Sequence, residues 1–96
     1  MTPSQEELKI ADKNAQDVVN AWGFNMHAGN TDFTPEFNTL FDTADRYQRA
    51  RENADFYRRR GQLTETDEGV AALAKERDAW RLFAESFRAW ELSQKN

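Results

Sequence analysis

The segment "FYRRRGQLTETDEG", residues 56–69, decides the fold because it contains the end of one helix and the start of another. Arginines in the last turn of a helix oppose the negative end of its dipole, and a glycine such as Gly61 can take the left-handed conformation that ends it. Thr64 or Thr66 can then cap a helix whose first turn is acidic. The segment predicts a corner between two helices, and its arginines could also contact a partner.

The helix before this corner is predicted over about residues 35–60. Thr34-Pro35-Glu36 supplies a cap, a proline at the first helical position and an acid in the first turn. Apolar residues then recur at spacings of three and four: Phe37, Leu40, Phe41, Ala44, Tyr47, Ala54 and Tyr57. Asp42-Thr43 could break this helix, and the sequence leaves that point open.

The helix after the corner is predicted over about residues 65–93. Its apolar stripe includes one arginine and widens at Phe83 and Trp90: Val70, Leu73, Ala74, Arg77, Trp80, Ala84 and Phe87. Folding the two helices back on each other pairs positions whose numbers sum to about 127. Phe37 then lies opposite Trp90, and most large aromatic residues collect far from the corner.

A polar layer is predicted within this hairpin. The register places Arg51 opposite Glu76 and Arg77, at positions where apolar residues are expected, with Glu52 and Asp78 close by. Such a layer can fix the register of a helical pair at some cost in stability.

The N-terminal helix is predicted over about residues 3–22, with Thr2 as the cap, Pro3 at the first helical position and Gln5 completing a capping box. Ser4 and Glu7 offer a second capping box slightly further along the chain. Its apolar residues form one stripe: Leu8, Ala11, Ala15, Val18, Val19 and Trp22. Gly23 is the expected stop, followed by a loop over residues 23–34. The sequence therefore predicts one all-α domain over residues 1–96, in which the N-terminal helix packs on a long antiparallel helical hairpin.

Composition limits the classes of function. The 96 residues include no cysteine, and 13 basic against 17 acidic residues give a net charge of -4. The absence of cysteine agrees with a reducing cytoplasm, and no stretch has the length or apolarity of a signal peptide or a membrane span. With His27 as the single histidine and no catalytic, cofactor or metal motif, we expect neither an enzyme nor a cofactor.

Two surfaces are candidates for partner binding. Residues 45–60 contain six arginines and three acids, net +3, and the outward positions of this helix combine arginines with an aromatic residue. The candidate partner-binding residues are Arg46, Arg49, Asn53, Phe56, Arg59 and Arg60. The alternative is a solvated face neutralised by nearby acids. The second surface is the aromatic end of the last helix, which could be core or a homodimer interface: Trp80, Leu82, Phe83, Phe87 and Trp90.

A protein-binding module fits these features best. Small helical proteins include inhibitors and adaptors that occlude larger machines, for example phage-encoded antagonists of host defence, an analogy of size and composition alone. One alternative is a nucleic-acid-binding protein that uses the same arginines, although the acidic net charge disfavours it. Another is a homo-oligomeric assembly component joined through the aromatic residues.

Overall fold

The computed structural model describes residues 2–95 and confirms the predicted all-α fold. Three helices follow one another: α1 (Gln5–His27), α2 (Pro35–Arg59) and α3 (Asp67–Gln94). α2 and α3 are the most closely packed pair, and α1 packs on them. Each helix is antiparallel to the next, so α1 and α3 run in the same direction. Among the described residues, no helix is both long and apolar enough to cross a membrane.

The start of α2 follows the predicted cap, and those of α1 and α3 each follow one of two caps that the sequence offered; the start of α1 at Pro3 with Thr2 as its cap is wrong. Ser4 caps α1 in a capping box, in which the Ser4 hydroxyl accepts from the Glu7 amide and the Glu7 carboxylate accepts from the Ser4 amide, both at 3.1 Å. Thr34 caps α2, and Thr66 caps α3. α2 is continuous through Asp42 and Thr43, which settles the point that the sequence left open.

The predicted end of α1 at residue 22 is wrong, since the helix continues through Gly23 to His27. Gly29, two residues after His27, terminates the helix: its φ is 78°, and the Asn30 amide donates to the Asn25 carbonyl at 2.8 Å. Gly61 ends α2 in the same way, with φ at 66°. A glycine does terminate α1, as predicted, but it is Gly29 and not Gly23, which lies inside the helix. The loop between α1 and α2 therefore spans residues 28–34.

The core lies where all three helices meet. α1 contributes small residues that allow close approach, and α2 and α3 contribute larger ones: Leu8, Ala11, Ala15, Val18, Leu40, Ala44, Tyr47 and Phe83. The Tyr47 and Phe83 rings stack at 5.7 Å between centroids, and Trp22 stacks on Phe41 at 4.4 Å. Phe37 approaches Trp90 at 6.4 Å, as the predicted hairpin register requires.

α3 is turned by about one residue position, or about 100°, from the orientation that its apolar stripe predicts. Gly69, Ala72, Glu76 and Phe83 are buried, whereas Val70 is 49% exposed. The apolar arc of α3 is wider than one stripe, so periodicity alone did not select the side that packs on α2. The remaining part of this arc is turned toward α1.

Candidate functional site

The predicted arginine and aromatic residues share the outer face of α2. This face, called here the α2 stripe, consists of Arg46, Arg49, Asn53, Phe56 and Arg60, all exposed. Arg59 is also exposed, but it lies about 100° around the helix from Arg60, outside the arc that the stripe covers. The structure therefore brings five of the six predicted partner-binding residues together on one surface.

Two arginines of the stripe are already paired within α2. Arg46 Nε lies 3.2 Å from Asp42 Oδ2, and Arg49 Nε lies 3.2 Å from Asp45 Oδ2. Both pairs span one turn and are largely exposed, so they stabilise the helix by a few tenths of a kcal/mol at most, on the order of 0.3–0.5. Their main consequence is that much of the positive charge along the stripe is locally neutralised.

Phe56 is the apolar centre of the α2 stripe and is 49% exposed. The Arg60 guanidinium carbon lies 3.8 Å from the centroid of the Phe56 ring, and the Tyr57 ring meets Phe56 edge-on at 5.2 Å. A shallow, open hollow of about 410 Å³ adjoins this ring, lined by Arg49, Glu52, Asn53, Phe56 and Tyr57. The Arg60 guanidinium and the Tyr57 ring therefore both pack against this exposed aromatic ring.

The predicted aromatic surface on α3 does not form a single patch. Phe83 is only 2% exposed and belongs to the core, so its assignment to an interface is corrected. Leu82 is 42% exposed and lies well around the helix from Phe83. Trp80, Phe87 and Trp90 are half-buried beside the core. Only part of this set is available on the surface.

An open groove separates α1 from α3, which contact each other less than either contacts α2. This α1–α3 groove has a volume of about 430 Å³ in its widest part. Its lining is mostly apolar: Glu7, Ile10, Ala11, Asn14, Trp80, Phe83, Ala84, Phe87, Arg88 and Glu91. Ile10 is 60% exposed here, and the sequence analysis did not identify it as a candidate surface residue.

The polar layer exists but has different members from those predicted. Glu76, and not Arg77, faces inward; it is 1% exposed. Its carboxylate accepts from Arg51 Nη1 at 3.3 Å and from Arg58 Nη2 at 3.0 Å. Arg77 reaches the Thr2 hydroxyl at 3.4 Å, outside the layer. The prediction that Arg51 and Arg77 face each other is therefore wrong, because one carboxylate between two guanidinium groups is electrostatically favoured.

α1 completes the polar layer through Asp12, a contact that sequence periodicity did not indicate. Asp12 Oδ1 accepts from the Tyr47 hydroxyl at 2.8 Å and from Arg51 Nε at 3.1 Å. Asp55 bonds to Arg51 Nη1 at 3.0 Å and also to Arg58. No buried polar side-chain atom within residues 2–95 lacks a partner.

The layer shifts two pKa values. Burial, followed by the hydrogen bond and charge of Asp12, raises the pKa of Tyr47 well above its ordinary value. Burial alone would lower the pKa of Arg51, but the hydrogen bond to Asp12 and the charges of Asp12, Asp55 and Glu76 raise it. Both shifts favour the forms that these two side chains have at neutral pH, a protonated Tyr47 hydroxyl and a charged Arg51 guanidinium.

The described part of the chain contains no cluster of three or more histidine, cysteine or acidic side chains arranged to hold a metal ion. His27 is exposed at the end of α1. No known family model matches this chain, and no curated protein or solved structure is significantly similar to it.

Proposed function

We propose that the protein is a cytoplasmic protein-binding module that uses the α2 stripe to occlude a surface of a larger protein or complex, as an inhibitor or adaptor. The observation that carries the proposal is Phe56, a half-exposed ring held in place by Arg60 and Tyr57. Aromatic residues and arginines dominate the binding energy of protein interfaces, and fixing a side chain beforehand reduces the entropy lost on binding.

The charge pattern of the stripe supports a protein partner over a nucleic acid. Arg46 and Arg49 are each paired with an acid one turn earlier. A strand that stacks on Phe56 would also have to displace the Arg60 guanidinium from the ring. Nucleic-acid binding depends on a strong positive excess and on accessible stacking faces. A protein surface with carboxylates around an apolar pocket fits the stripe better.

The test is affinity capture from a lysate of the source organism at low and high salt. The wild type is compared with Phe56→Ala/Arg49→Glu/Arg60→Glu, which removes the anchor and reverses two charges. The matched control is Leu92→Ala/Lys75→Glu/Lys95→Glu, which truncates one apolar side chain and reverses two charges at exposed positions of α3 and its C-cap. We expect one protein complex to be retained at both salts by the wild type and the control and lost by the stripe variant.

A cross-linking assay then shows whether the captured protein contacts the α2 stripe directly. A photo-crosslinking amino acid at Asn53, which is exposed in the middle of the stripe, should form a covalent adduct with the captured protein. Recovery of nucleic acid only at low salt would instead support the nucleic-acid alternative. Equal capture by the stripe variant and the wild type would overturn the proposal.

A further inference from the structure

The molecule exposes more surface than a monomer of its mass requires. A folded monomer of 11.2 kDa is expected to expose about 5,700 Å², whereas this chain exposes 6639 Å². The excess of about 900 Å² is close to the roughly 800 Å² that each partner contributes to a standard protein interface. The radius of gyration is 14.7 Å, against about 12.5 Å for a compact domain of this length.

The α1–α3 groove is where apolar side chains line this surface from both sides. Ile10 on α1 and Trp80, Ala84 and Phe87 on α3 line the same part of the groove. The groove continues past Asn14 and Phe87 toward Asp17 and Trp90, where Phe37 and Leu40 of α2 help to line it. The groove is therefore a long apolar strip bounded by two helices that run in the same direction.

The charged residues beside this strip differ between its two walls. α1 carries Glu7 and Asp17, of which Asp17 is paired with Lys13 at 2.9 Å. α3 carries Arg88 and Glu91 in the lining, with Arg81 nearby. Neither arginine forms an ion pair with any other residue in 2–95. A surface with one predominantly acidic wall and one predominantly basic wall is complementary to a copy of itself.

We propose that the groove is the interface of a symmetric homodimer, with a second copy of this chain as its occupant. A two-fold axis that runs along the groove places α1 of each copy beside α3 of the other, because both helices run in the same direction. Ile10 of one copy then packs near Ala84 of the other, and Asp17 lies near Arg88 of the other. This interface is separate from the α2 stripe, so the dimer and the proposed function can fail independently.

Sedimentation equilibrium on the intact chain tests the dimer. We expect the mass to rise from 11.2 kDa toward twice that value as concentration increases. Ile10→Glu places a charge in the apolar strip and should weaken dimerisation by about tenfold or more, since the burial of an isoleucine is lost from two symmetric positions. Leu82→Glu, an exposed leucine outside the groove, should leave the dimerisation constant unchanged. A constant monomer mass up to about 1 mM, a very weak limit of association, would overturn the proposal.

Cross-linking tests which surfaces meet, and the cysteine-free chain suits it because every thiol is then an introduced one. An oxidised mixture of Ile10→Cys and Ala84→Cys chains should form a disulfide between the two variants. A mixture of Ile10→Cys with Leu82→Cys is the matched control and should not. Dimers that cross-link through Leu82 and not through Ala84 would contradict the groove as the interface.

Discussion

At the scale of single residues, the molecule depends on a buried carboxylate between two guanidinium groups. Glu76 is almost fully buried, and its charge is acceptable only because Arg51 and Arg58 both donate to it. The sequence showed that Arg51 and Glu76 would meet, since the hairpin register pairs them. It could not show that Glu76 rather than Arg77 turns inward, because both are charged and adjacent.

Glu76→Gln should destabilise the fold by about 3 kcal/mol, because it removes the most deeply buried negative charge of the network and leaves only Asp12 and Asp55 to pair with Arg51 and Arg58. Urea unfolding followed by circular dichroism measures this loss. Arg49→Gln breaks an exposed ion pair on the same hairpin and should cost less than about 1 kcal/mol. Equal decreases in the free energy of unfolding for the two variants would show that the buried network stabilises the fold no more than an exposed ion pair does.

Tyr47 should make stability depend on alkaline pH. Its folded-state pKa is raised, so its contribution is complete below the unfolded-state value of about 10 and is lost as pH rises above it. We expect the free energy of unfolding of the wild type to fall between about pH 9.5 and 11 more steeply than that of Tyr47→Phe. Parallel pH profiles for the two proteins would contradict this assignment.

At the scale of helices, the start of α2 could be predicted because the Thr34 cap acts locally, whereas the starts of α1 and α3 could be predicted only to within two candidate caps each. The end of α1 could not, since Gly23 and Gly29 carry the same local signal and differ only in their surroundings. The orientation of α3 and the exposure of Ile10 also depended on neighbours that periodicity does not specify. The α2 stripe was predicted because residues on one helix face follow from helical geometry alone.

Two glycines should respond to alanine in opposite directions. A Cβ at Gly69 would lie 2.1 Å from the Gln62 carbonyl oxygen, so Gly69→Ala forces the start of α3 away from the corner and should destabilise by about 1–3 kcal/mol. Gly23 lies inside α1 with nothing within 4 Å of the same position, and Gly23→Ala should stabilise by about 0.5–1 kcal/mol. Thermal unfolding of both variants measures the two signs.

At the scale of the whole molecule, the outline is flat and elongated, with extents of 45 × 27 × 19 Å. The fold class and the helical order followed from the sequence, because three strongly periodic segments with short connections leave few arrangements. The open groove did not follow from it, since the gap between α1 and α3 depends on how α1 sits on the hairpin. The groove lies between α1 and α3, with Phe37 and Leu40 of α2 at its far end.

Small-angle scattering should show how two copies associate. If the grooves face each other about an axis along the helices, the second copy is added across the helices and the 45 Å dimension stays nearly unchanged. We therefore expect the maximum dimension to stay close to the monomer value while the forward scattering doubles. A maximum dimension approaching twice the monomer value would indicate end-to-end association and contradict the face-to-face arrangement.

The contact between Asp12 and Arg51 also has a consequence for the order of folding. α2 and α3 are joined by a short turn and can pack on each other early in folding. Asp12 and Arg51 are 39 residues apart in the sequence, so we expect their contact to form later. Contacts that form after the rate-limiting step influence unfolding more than folding. Asp12→Asn should accordingly increase the unfolding rate and leave the folding rate nearly unchanged. In a chevron plot, the unfolding limb rises and the folding limb stays in place.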